Sequence, residues 1–175
     1  AEVHAPPEAN DSDVLSESKW QSIAEHTNAV CDEVQSLLGT MEVGESTALK
    51  LAARWHDRGK AHPGFLARLN PGALAEARDA GFLNCGFAAK APADAWLPPA
   101  QTLAGQRKRF RHELASALAV LMAGGDQIPD DVRDLVAYLV AAHHGKVRLS
   151  IRSLPEETPP PDGRRFARGI WDQDD

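Results

Sequence analysis

Apolar residues recur at intervals of three and four along most of this chain, and helices are the structures that put such positions on one face. A first helix is predicted from about Lys19 to Leu38. Ile23, Val30, Val34, Leu37 and Leu38 form its stripe, Ser16 or Ser18 caps it, and Gly39 ends it. Ser46 or Thr47 opens a second helix through Leu49, Ala52, Ala53 and His56, interrupted at Gly59. His62-Pro63-Gly64 restarts a short helix through Phe65, Leu66 and Leu69. Asn70-Pro71-Gly72 is a turn, and Ala73 to Ala80 supplies one or two helical turns more. From Phe110 to Ala123 the sequence is almost continuously apolar, the pattern of a buried helix. Pro129 stands where the next helix starts, and its stripe is Val132, Leu135, Val136, Leu139, Val140 and His143. Val147, Leu149 and Ile151 alternate with polar residues, as in a short strand. Residues 81–106 are rich in Gly, Ala and Pro and read as a long irregular insertion. The expected fold is all-α: a helical bundle over residues 19–153, with a flexible arm over 1–18 and a Pro- and acid-rich tail over 154–175.

At 175 residues the chain is one domain long and needs no disulfide to build a core. It has two cysteines, Cys31 and Cys85, which excludes a disulfide framework or a zinc ribbon and fits a reducing cytoplasm. No apolar run approaches the roughly 18 residues that cross a bilayer, and no secretory signal opens the sequence. The net charge of −6 argues against a simple polyanion binder. That average is uneven. Residues 1–50 hold ten acidic and two basic side chains, whereas residues 51–152 hold fourteen basic and nine acidic ones.

His26, His56 and His143 each occupy the apolar stripe of a different helix. For any one of them alone, a buried histidine with a hydrogen-bond partner is the default. Three inward imidazoles on three helices can instead satisfy one another around a cation. Asp57 follows His56, His144 follows His143, and His112 begins the buried helix. Imidazole with carboxylate suits divalent transition metals rather than calcium. Six such groups exceed one tetrahedral zinc and suit a two-metal site that activates water and clamps a phosphate. Lys60 shares the face of His56 if that helix continues past Gly59. There it would neutralise a phosphate oxygen or protonate a leaving oxygen; a solvated lysine is the alternative. His62 reads as a cap, a pocket-rim residue or a metal ligand. Ser116, one turn after His112, either orients that histidine or is simply small enough for close helix packing.

The order His26, His56-Asp57 with Lys60, His112, then His143-His144 resembles the HD superfamily of helical metal-dependent phosphohydrolases. The flanking words narrow it. Ala53-Arg54-Trp55-His56-Asp57-Arg58-Gly59-Lys60-Ala61-His62-Pro63, Phe110-Arg111-His112-Glu113-Leu114-Ala115-Ser116 and Ala141-Ala142-His143-His144-Gly145-Lys146-Val147-Arg148 are similar to the HD nuclease of type I CRISPR interference. The resemblance covers about residues 20–152. It implies an HD-domain-like bundle and a nuclease that cuts single-stranded DNA with two divalent ions (Mn, Ni, Co or Fe, with Mg possible). It also implies two partners, a superfamily 2 helicase and an RNA-guided CRISPR surveillance complex. His26, His56 and Asp57 would hold one ion, and His112, His143 and His144 the other. Asp57 would bridge, and Lys60 would face the scissile phosphate. The family adds a late aspartate. Here Asp172, Asp174 and Asp175 are the candidates, unless the chain is a fragment that stops before that helix.

Basic residues flank the proposed ligands. Arg107, Lys108, Arg109 and Arg111 precede His112; Lys146, Arg148 and Arg152 follow His144. Arg109, Arg111, Lys146 and Arg148, with Lys60, are the candidates for a phosphodiester backbone. Phe110, Trp96 and Trp171 read first as core residues and second as base-stacking platforms. Three functions remain open at this point: a metal-dependent DNase, a phosphohydrolase of nucleotides or cyclic dinucleotides, and a non-catalytic docking module with a degenerate site. No phosphate-binding Gly-Lys-Ser/Thr loop occurs, so a helicase lies elsewhere.

Overall fold

The first helix begins where a serine and a glutamate satisfy each other's backbone. Ser22 donates its N–H to Glu25 Oε2 at 2.9 Å, and its Oγ accepts from Glu25 N at 3.2 Å. This reciprocal box starts α1 (Ile23–Thr40). The caps expected at Ser16 or Ser18 lie outside the described residues, because the computed structural model describes residues 19–40, 44–84, 86–97, 107, 110–145 and 157–174. The two residues before α1, which the expected start near Lys19 placed in the helix, form β1 (Gln21–Ser22). At its other end α1 runs past Gly39, whose Cβ position is open.

The second helix, α2 (Ser46–Trp55), buries Ala48, Ala52, Ala53 and Trp55 and stops short of Gly59. Residues Arg58–Ala61 form a 3₁₀ turn instead. Gly59 is required there by close approach. A Cβ at this position would lie 2.1 Å from His112 O and 2.9 Å from Ser116 N. Its N–H donates to Ser116 Oγ at 2.7 Å. Ser116 therefore ties the turn to the distant helix that His112 opens rather than orienting His112. Next come α3 (Pro63–Leu66) and α4 (Pro71–Asp79), each with proline in its first turn. The His62 ring caps α3 through Gly64 N, and Asn70 caps α4 through Gly72 N and Ala73 N. The second short helix thus starts at Pro71, earlier than expected.

Within the described part of the expected irregular insertion lie two short regular elements. β2 (Ala88–Lys90) pairs antiparallel with β1, and Ala93–Ala95 form a second 3₁₀ turn. Leu69 and Trp96 form an antiparallel bridge. Alanine makes this possible: Ala88, Ala89, Ala91 and Ala95 are buried, small enough to bring the backbone against Phe65 and Leu74. Trp96 is part of this core and not a stacking platform, and the same holds for Phe110. Residues 98–106 lie outside the described residues.

A second core joins α2 to α5 (His112–Met122) and α6 (Asp130–Ala142) through Ala48, Trp55, Val120, Val136 and Val140. The expectation that α5 is buried all round holds for its first half only. Leu118, Leu121 and Met122 are exposed. Pro129 caps α6, and Asp130 and Asp131 in its first turn complement the helix dipole. The strand expected over 147–151 lies outside the described residues.

Residues 157–174, most of the expected Pro- and acid-rich tail, return to the domain. β3 (Phe166–Ala167) and β4 (Ile170–Trp171) form a hairpin. Its two-residue turn, Arg168-Gly169, has φ values of 56° and 76°, as a right-twisted hairpin demands. Gly169 packs its backbone on Phe110, where a Cβ would lie 2.5 Å from the phenylalanine Cα. Arg111 N donates to Arg168 O at 3.1 Å, and the Arg107 guanidinium pairs with Asp174 while lying over the Trp171 ring. The fold is mainly helical, as expected, with two small strand pairs. Among the described residues no helix is long and apolar enough to cross a membrane.

Candidate metal centre

Helix ends converge on one point. His26 lies in the first turn of α1, and His56 is the C-terminal cap of α2. Asp57 follows it at φ −104°, ψ 8°, where the chain turns out of the helix. His112 is the first residue of α5, and His143 caps the C-terminus of α6 with His144 beside it. Two helix C-termini, α2 and α6, thus finish at the site, and such ends favour cations.

Asp57 is the hub. Its Oδ2 lies 3.4 Å from His26 Nε2 and 3.4 Å from His56 Nε2. Its Oδ1 lies 3.4 Å from His112 Nε2 and 3.7 Å from His143 Nε2. His144 Nε2 is 3.0 Å from His112 Nε2. Among the described residues two groups of donors emerge, His26–His56–Asp57 and His112–His143–His144. The ligating atoms of each group lie within 4.8 Å of one another.

Backbone carbonyls orient two of the rings. His56 Nδ1 lies 2.7 Å from Ala53 O, and His143 Nδ1 lies 2.7 Å from Val140 O. A carbonyl only accepts, so Nδ1 carries the proton in the neutral ring and Nε2 presents its lone pair inward. Burial pushes His143 down to about 4, only partly opposed by Val140 and Asp57, so its ring is neutral at pH 7. Burial also lowers His26. For His56 burial works downward too, but the Asp57 carboxylate and the Ala53 carbonyl outweigh it and raise the value. Burial would raise Asp57, yet His112, His56 and Lys60 overcome it and hold the carboxyl well below its usual range.

These groups fit a cation. Both Asp57 oxygens and His143 Nε2 are buried and make no hydrogen bond. The neutral His143 nitrogen and the carboxylate oxygen face each other lone pair to lone pair, an arrangement that costs free energy unless a positive charge stands between them. Imidazoles around an ionised carboxylate are a donor set for divalent transition metals.

The remaining candidates are placed as follows. Lys60 is on the 3₁₀ turn and not on a continued helix. It is buried, with Nζ 3.2 Å from Asp57 Oδ2 and donating to Ala89 O at 3.1 Å. Arg111 is almost buried, and its Nε contacts Glu113 Oε1 at 2.5 Å. His62 caps α3 and stands 3.5 Å from Asp174. Asp174 is held by Arg107 and by Trp171 N, and Asp172 by Arg165. Neither joins either donor group. Arg109, Lys146, Arg148 and Asp175 lie outside the described residues. Sequence reasoning passed over Glu113, a buried carboxylate beside His112, although its adjacency to a candidate ligand was a signal.

A family model described as Cas3, HD domain matches residues 11–173. No curated protein and no solved structure matches the chain. The matched span contains every donor described above and also the C-terminal hairpin. A helical scaffold that gathers five histidines around one aspartate, matched over nearly its whole length, places this chain in the Cas3 HD-domain family of CRISPR-associated, metal-dependent nucleases.

Proposed function

We propose that this domain hydrolyses phosphodiester bonds of single-stranded DNA using two divalent ions. The observation that carries the reading is the division of the Asp57 carboxylate, with Oδ2 toward His26 and His56 and Oδ1 toward His112 and His143. A bridging carboxylate of this kind keeps two ions close enough to act on one phosphate. When bound, the ions would supply Lewis acidity, lowering the pKa of a water and neutralising the phosphate.

The protein's own groups divide the remaining work. His26, His56 and Asp57 would hold one ion, and His112, His143 and His144, with Asp57, would hold the second. His26, His143 and His144 are the partly exposed members, so the scissile phosphate arrives from their side. Lys60, steadied by the Ala89 carbonyl, stands beside Asp57 and faces a phosphate oxygen or the leaving oxygen. Arg109, Lys146 and Arg148, adjacent in sequence to the ligands, track the DNA backbone. A superfamily 2 helicase and an RNA-guided surveillance complex are the partners that would deliver unwound strand.

The test is incubation of the protein with circular single-stranded DNA under Mn, Ni, Co and Mg, beside His56→Ala. Cleavage by the unaltered protein, lost in the variant, supports the proposal. No cleavage with any metal while a nucleotide or cyclic dinucleotide is hydrolysed would move the assignment to a small-molecule phosphohydrolase. No metal uptake at all would leave a docking module.

A further inference from the structure

The histidines of the centre differ in how their outer ring nitrogens are held. His56 and His143 come at the ends of helices, and each sets its Nδ1 on the carbonyl three residues earlier, at 2.7 Å. His112 opens its helix. Its predecessor Arg111 is extended, at φ −111° and ψ 102°, so no helical turn precedes the ring to offer that carbonyl. Yet His112 Nε2 points inward, 3.4 Å from Asp57 Oδ1 and 3.0 Å from His144 Nε2. Its Nδ1 edge therefore faces outward, and 3.8 Å away on that side lies Glu113 Oε2.

Glu113 is otherwise hard to account for. A glutamate in the first turn of a helix complements the dipole, but one present for that alone stays in solvent. Here the side chain is 2% exposed. One oxygen, Oε1, takes Arg111 Nε at 2.5 Å. The other, Oε2, is buried and accepts no hydrogen bond. A carboxylate clamped by an arginine on one oxygen, with its second oxygen turned to a ligand histidine, is an acceptor waiting for an N–H.

We infer that Glu113 is a positioning residue for the second ion's site, accepting the Nδ1–H of His112 in place of the missing helical carbonyl. Ligation through Nε2 forces the ring proton onto Nδ1, and the proton then lies toward Glu113 Oε2. The gap of 3.8 Å closes to hydrogen-bond distance as the ring takes this form. The carboxylate fixes the ring plane and raises the basicity of Nε2, as partners behind metal-bound imidazoles do. Arg111 acts one step further out, holding the carboxylate in place.

The inference rests on the metal-centre reading, and the experiment separates the two. Whole protein and Glu113→Gln are titrated with Co(II) by calorimetry, and ring N–H resonances are recorded on the Zn-loaded forms. Glu113→Gln is isosteric, so loss of packing is minimal. The expected result is about a 10- to 100-fold weaker second equivalent of Co(II), with the first within a few-fold. The His112 Nδ1–H resonance moves upfield in the variant, whereas those of His56 and His143, on backbone carbonyls, stay. Should the variant fail to fold, the unaltered Zn-loaded protein still decides. A His112 Nδ1–H downfield of the other two supports the inference, and one at or upfield of them overturns it. Unchanged affinity and unchanged resonances in Glu113→Gln also overturn it. If the unaltered protein takes up no Co(II), the metal centre itself is refuted, which is a different result.

Discussion

Adding one methyl group at Gly59 should damage both the fold and the centre. A Cβ there meets His112 O at 2.1 Å, Ala115 Cβ at 2.9 Å and Ser116 N at 2.9 Å. Real Cβ contacts do not fall below 3.0 Å, so the 3₁₀ turn and α5 must separate by about 0.9 Å at the closest pair. Two of the three obstructing atoms are backbone, which leaves no flexible side chain to yield. Overpacking of this kind costs about 1–3 kcal/mol. The displaced Gly59 N–H also loses Ser116 Oγ, now at 2.7 Å, and a buried amide left without its acceptor adds about 1–3 kcal/mol. For a chain of this length the combined loss lowers the melting temperature by about 5–15 °C. The turn carries Lys60 and follows directly on Asp57, so the hub carboxylate moves with it. Misplacement on the scale of 1 Å costs about 100-fold in rate. The assay is thermal unfolding beside Mn(II) titration and cleavage, with Gly39→Ala as the control. Gly39 lies in the last turns of α1 with nothing within 4 Å of its Cβ position, and alanine there is neutral or slightly stabilising. A Gly59→Ala protein that melts with the control and binds Mn(II) as tightly would refute the close-approach argument.

Ser116→Ala removes only the hydroxyl acceptor; it should cost about 1–3 kcal/mol in denaturant unfolding, and a loss below a few tenths would deny the tether. The metal-free protein should lose stability as pH falls. His143 titrates at about 4 when folded and near 6.5 when unfolded, so the unfolded state takes up the proton first. The loss begins near pH 6.5 and reaches about 3 kcal/mol from this group near pH 4. His26 acts in the same direction and His56 in the opposite one. Urea midpoints that stay level or rise from pH 7.5 to 5 would contradict this. Asp174→Ala leaves Arg107 without its carboxylate over the Trp171 ring, and should release the C-terminal hairpin to limited proteolysis while the helical signal persists. An unchanged digestion pattern would show that the pair does not hold the hairpin. Lys60→Met should keep Mn(II) affinity within a few-fold yet slow cleavage about 100- to 10,000-fold; full-rate cleavage would remove Lys60 from the chemistry.

The donors were legible because imidazole is an odd occupant of an apolar stripe. His26, His56 and His143 declare themselves by spacing alone, and the structure gathers them with His112 and His144 around Asp57. That Asp57 can use both oxygens follows from carboxylate chemistry; which histidine meets which oxygen depends on how helix ends meet and was expected only through the family resemblance. Residues 81–97 were illegible for a physical reason. Their contribution comes from alanine, which buries well but carries no periodicity in so short a strand, and β2 finds its partner on a distant strand of two residues. The hairpin at 166–171 is likewise too short to alternate, and its only local mark is the glycine of its turn. The box at Ser22 and Glu25 is a genuine sequence signal, but Ser16 and Ser18 offered earlier caps and masked it. Glu113 is invisible to pattern reading because nothing in the sequence says that a helix-opening glutamate is buried.

The rings of His56 and His143 take their angles from carbonyls of their own helices, whereas the spacing between them is set by how α2 packs on α6. Bond direction at this centre is therefore a local property and bond length a tertiary one. Core positions far from any ligand, such as Val136 or Ala137, act on the spacing alone. An ion bound here is in effect a caliper across the helix packing. Because it grips only the assembled arrangement, its free concentration sets how firmly the helices stay together.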